Sequence, residues 1–154
     1  MNKRNIIYTL CLLGCVFACA LPFLRADKDV SFVTLQKEIH ELANSQELKE
    51  EDRSYIRKQF ELNDSDYQNA ICFGPISAME VNTLMAVECT SEQKEYIQKQ
   101  MKNKVDKQYK SFANYAPRQA NLLKDARIFE KGDYIFLIIH KNDQVLQSKI
   151  ESLF

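Results

Sequence analysis

Residues 134–140 read Tyr-Ile-Phe-Leu-Ile-Ile-His, an unbroken apolar run between Lys131-Gly132-Asp133 and Lys141-Asn142-Asp143. A strand sends alternate side chains to opposite faces, so Tyr134, Phe136 and Ile138 point one way and Ile135, Leu137 and Ile139 the other. Neither set is polar, which predicts a strand buried on both faces. Working outward, Gly132 supplies the positive φ that a tight hairpin needs. Residues 126–130 (Ala-Arg-Ile-Phe-Glu) then form the preceding strand. On the other side, Asn142 is placed to cap a closing helix, whose Val145, Leu146, Lys149, Ile150 and Leu153 lie back on the sheet.

Two more strands come earlier. Residues 70–74 (Ala-Ile-Cys-Phe-Gly) stop at Pro75, which has no backbone donor. Residues 81–89 set Val81, Thr83, Met85, Val87 and Cys89 on one face. Thr90 and Gln93 fit a capping box that opens a helix running to about Asn114. Its apolar stripe is Ile97, Met101, Val105, Tyr109 and Phe112, and Lys99, Lys102, Lys104, Lys107 and Lys110 read as a solvated face. Pro117 suits the first turn of a helix over 118–125, where a missing donor is harmless. Upstream, Phe32, Leu35, Ile39 and Leu42 mark an amphipathic helix over 30–43. Residues 46–60 read as a second helix, and Asn63-Asp64-Ser65-Asp66 as a turn. The expected fold is α+β: an antiparallel sheet of about four strands in a ββ-αα-ββ-α core, covered by helices on one face and preceded by an N-terminal hydrophobic helix.

That first helix is the clearest functional signal. Lys3 and Arg4 precede an apolar segment from Ile6 to Leu24, close to the roughly 20 residues that cross a bilayer. A basic start, an apolar centre and a polar sequel make an export signal, with Lys3 and Arg4 kept inside. Residues 1–26 are therefore read as a signal or membrane anchor that contacts membrane lipid. Residues 27–154 are read as an extracytoplasmic domain, with 27–60 a helical lead-in and 61–154 the core. Retention as an anchor ranks first among the fates of the segment. Lipidation ranks second, at Cys15 or Cys19, each preceded by a small residue. Cleavage near Ala18-Cys19-Ala20 or after Ala26 is the third.

Bulk properties exclude several classes. The chain has 154 residues and formal net charge zero, so nothing at that level points to nucleic acid. Acids predominate in 27–80 and bases in 81–154. Three Gly in all leave little with which to cradle a phosphate. The exported part holds only His40, His140, Cys72 and Cys89, in no spacing that makes a zinc site, and no metal or cofactor is expected. Asp64 and Asp66 lack the Gly and terminal Glu of a calcium loop. A Cys72–Cys89 disulfide is favoured by export. It is opposed by a register that carries Cys89 well past the residue opposite Cys72.

From Phe60 onward the chain carries Phe60-x-Leu62-x4-Tyr67, the strand ending in Val87, Phe112-x2-Tyr115-x-Pro117-x-Gln119, Leu122/Leu123 and Gly132-x-Tyr134-x-Phe136-Leu137. In these residues it resembles a family of small exported proteins of unknown function from Gram-positive bacteria, often classed as lipoproteins. The resemblance implies an α+β domain outside the cytoplasmic membrane, with no known activity, ligand or catalytic residue. The chain departs from many members in lacking a clean lipobox and a Gly/Ser-rich tether.

The function expected from these observations is non-enzymatic: a membrane-tethered domain that binds a protein partner or a cell-envelope component, placed at the cell membrane with its C-terminal domain outside. Lipid-anchored and secreted forms are the alternatives for its location. An envelope hydrolase or thiol enzyme using Cys72 and His140 is one alternative function. A structural part of an envelope assembly is another.

Overall fold

A computed structural model describes residues 29–154. The expectations for Ile6–Leu24, Cys15 and Cys19 lie outside the described residues. The elements run α1 (Phe32–Asn44), β1 (Lys49–Glu51), α2 (Arg53–Phe60), β2 (Asn69–Gly74), β3 (Thr83–Glu88), α3 (Ser91–Phe112), α4 (Pro117–Lys124), β4 (Arg127–Lys131), β5 (Tyr134–Ile139) and α5 (Asp143–Glu151). The five strands form one sheet in the order β1-β2-β3-β5-β4, antiparallel throughout.

The apolar run of β5 sits between β3 and β4, and every residue from Tyr134 to His140 is buried. Ile135, Leu137 and Ile139 join Cys72, Met85 and Val87 on one face. That face is covered by Ile56 and Phe60 of α2, Ile97, Met101 and Val105 of α3, and Leu123 of α4. Tyr134, Phe136 and Ile138 join Ile71, Phe73, Leu84 and Ala86 on the other face, beneath Leu35 and Ile39 of α1 and Leu146 and Ile150 of α5. Phe129 stacks on Phe136 at 5.0 Å between centroids, and Phe154 closes edge-on over Tyr134 and Phe136. Gly132 carries φ +56° in the two-residue turn that sets Lys131 opposite Tyr134.

The α+β class and the antiparallel sheet are as expected. Three details differ. The sheet has a fifth strand, because Lys49-Glu50-Glu51 pairs with Gly74-Phe73-Cys72 instead of continuing a helix from Gln46. Helices lie on both faces of the sheet, as a strand without a polar face demands, and Leu35 and Ile39 of α1 pack into the core of the second face. Asn142 does not cap α5 through its side chain. Its amide side chain donates to Gln46 Oε1 at 3.0 Å, and its backbone N–H donates to His140 Nδ1 at 3.1 Å.

Candidate functional site

The sequence offers Cys72 and His140 as a nucleophile–base pair, and the structure separates them. Cys72 lies opposite Met85, and Met85 lies opposite Leu137. The thiol therefore belongs to the face of Leu137, two strands away from β5 or roughly 10 Å. His140 follows Ile139 and takes the opposite parity. Its Nδ1 accepts the Asn142 N–H. Burial pushes its pKa down, Lys141 adds to this, and Asp143 opposes it. Cys72 is fully buried, and its thiol pKa is raised by burial first and then by Glu51. A thiol needs its thiolate to attack, and burial disfavours the thiolate of Cys72. Cys89 is also a free buried thiol, pushed up to about 11 chiefly by burial. Its neighbour Glu88 lies opposite Asn69, which leaves Cys89 beyond bridging reach of Cys72, as the spacing suggests.

Around Cys72 the structure gathers groups that residue type alone did not reveal. Glu51 lies directly opposite Cys72 on β1. Tyr55 of α2 packs beside them, and its phenol is pushed up to about 12 by burial, then by Cys72 and Glu51. Gly74 leaves the space: a Cβ there would stand 3.1 Å from Glu51 Cγ and 3.3 Å from the Tyr55 hydroxyl oxygen. Lys104 of α3 approaches from above, donating to Gln59 Oε1. Burial lowers its pKa, against the raising influence of Cys72. Phenol, thiol and lysine are all shifted towards their neutral forms. The Lys104–Gln59 hydrogen bond ties α2 to α3 beside Cys72.

The lysine face of α3 is only partly the solvated surface expected. Lys94 donates to the Gly132 carbonyl at 2.7 Å and lies 3.6 Å from Glu130. Lys107 pairs with Glu61 at 2.5 Å. Lys102 pairs with Asp106 within the helix. At the hairpin end of the sheet the Tyr134 hydroxyl donates to the Val30 carbonyl at 2.7 Å, so the chain enters the domain at that pole. The far pole carries the β2–β3 loop, where Ile76 and Met79 are exposed. Among the described residues no group of three or more His, Cys, Asp or Glu is arranged to hold a metal ion. Among the same residues no helix is long and apolar enough to cross a membrane.

A family described as Domain of unknown function (DUF4358) matches residues 41–140, from the last turn of α1 to the end of β5. No curated protein and no solved structure matches the chain.

Proposed function

For a chain that belongs to the DUF4358 family, we propose a membrane-tethered extracytoplasmic domain that binds a protein partner or a cell-envelope component and catalyses no reaction. The observation that carries this reading is the amino terminus. Lys3-Arg4 and the apolar Ile6–Leu24 have the form of a retained signal anchor. The first described residues support the reading, because Val30 is buried and its carbonyl is held by Tyr134. A tether entering at the hairpin pole would leave the opposite pole, with its exposed Ile76 and Met79, to meet a partner. The non-enzymatic part of the reading is supported by Cys72, whose thiol is buried on the face away from His140.

The test is made on intact cells of the native host. Protease added to spheroplasts is expected to digest the domain, and the membrane form is expected to have the intact mass of the uncleaved chain. A diacylglyceryl adduct on Cys15 or Cys19 would replace the anchor with a lipid and keep the location. A domain that resists protease until the cells are lysed would overturn the reading.

A further inference from the structure

The two edges of the sheet differ. β1 is three residues long and wholly charged, a guarded edge. β4 is five residues long, with Ile128 and Phe129 half-buried at its centre, and among the described residues no strand pairs with its outer side. The two-residue turn makes Lys131 and Tyr134 a hydrogen-bonded pair, and the alternation continues through Phe129 and Arg127. Ile128 and Glu130 consequently turn their N–H and C=O groups outward. Beside this edge, on the Ile128 side, runs a groove of about 360 Å³. Its floor is Val105, Leu123, Ala126 and Ile128, and Lys102, Asp106 and Lys124 are on its walls.

We propose that the β4 edge and this groove form a docking site for an extended acidic-apolar segment of a protein partner, which adds to the sheet as a further strand. The proposal rests on the partner-binding reading and names its site. Backbone pairing to Ile128 and Glu130 supplies register, and alternate side chains of the segment enter the groove. An apolar side chain fills the space over Val105, Leu123 and Ile128. An acidic one, two residues along, meets Lys102 and Lys124. Lys124 is exposed, with its ammonium 5.5 Å from the Tyr109 ring centroid. Of the acids beside the groove, Glu130 is engaged by Lys94 at 3.6 Å, and Asp106 shares Lys102, at 3.3 Å, with the incoming carboxylate, so a lining of two lysines and one aspartate keeps a net positive charge.

The probe is a short labelled peptide in which Val and Glu alternate at every second position with Thr between. Its control carries Lys for Glu. Each is titrated by fluorescence anisotropy into the full chain held in lipid nanodiscs. The acidic peptide is expected to bind about tenfold or more tighter than the control, with affinity falling as salt rises. It is also expected to slow hydrogen exchange at the Ile128 and Glu130 amides. The exposed double reversal Lys102→Glu with Lys124→Glu is expected to abolish that preference. Glu130→Pro, which removes an outward N–H and spares the pairing with β5, is expected to weaken both peptides. If that variant fails to fold, the charge reversal decides. Equal or absent binding of the two peptides, a preference surviving the reversal, or protection away from β4 would each overturn the proposal. So would self-association of the peptide-free chain that the reversal dissolves, since a second copy would then occupy the edge. A partner cross-linked elsewhere on the surface leaves the binding reading standing and overturns only the edge.

Discussion

His140 sits at the end of the apolar strand with its Nδ1 accepting the Asn142 N–H and its pKa held below the ordinary imidazole value by burial first, then by Lys141. Above the unfolded value, near 6.5, both states are neutral and the site costs nothing. As pH falls through that value the unfolded chain takes up a proton that the folded chain resists, so stability is lost. Unfolding midpoints in urea should therefore drop between about pH 7 and 5, with a slope from this group of at most about 1.4 kcal/mol per pH unit. In His140→Gln that part of the slope should vanish. His40 is common to both proteins and cancels in the difference; an identical slope in the variant would show that His140 has no such role. The parity that isolates His140 from Cys72 was half legible. The alternation in residues 134–140 could be read from the sequence, whereas the face of Cys72 depends on its register against Met85 and Leu137. The Glu51–Tyr55–Lys104 surroundings of Cys72 were not legible, because Glu51 looked like part of a helix.

At the scale of elements, a segment was readable where its pattern matched its surroundings. β5 has no polar face, which by itself requires cover on two sides. The expectation of helices on one face conflicted with that pattern, and the pattern prevailed. β1 left no such mark: Lys49-Glu50-Glu51 has good helix formers and no apolar member, and becomes a strand only by pairing with β2. The start of α3 was readable because its capping is local. Gln93 Oε1 accepts the Thr90 N–H at 3.0 Å, and Gln93 Nε2 donates to the Ser65 carbonyl at 3.3 Å. Gln93 thus fixes the helix end and ties it to the turn before β2. Gln93→Ala removes both bonds from a half-buried site at the helix end. It should destabilise the protein by about 1 kcal/mol, read from chemical denaturation, and speed hydrogen exchange at the Thr90 amide. A change within about 0.3 kcal/mol would mean that packing under Ile97 and Met101, not the cap, holds this end.

For the whole molecule, the boundaries of the family match and of the folding unit differ. The matched residues, 41–140, contain all five strands and the helices α2, α3 and α4 that cover one face. The other face depends on helices that lie largely outside the match. Leu35 and Ile39 of α1 and Leu146 and Ile150 of α5 are all buried against it. At about 1.5–3 kcal/mol for each fully buried aliphatic side chain, these four contribute on the order of 6–12 kcal/mol. That is comparable to the roughly 5–15 kcal/mol of net stability of a typical domain. A fragment spanning 41–140 would leave Ile71, Phe73, Leu84, Phe136 and Ile138 facing water, a patch that drives association. The fragment should bind a hydrophobic dye, lose near-ultraviolet dichroism and aggregate. A fragment spanning 29–154 should unfold in one cooperative step. A monomeric, cooperatively folded 41–140 fragment would show that α1 and α5 are accessories to a sheet that stands with one side wet. In that case Tyr134, Phe136 and Ile138 would be serving some purpose other than the core.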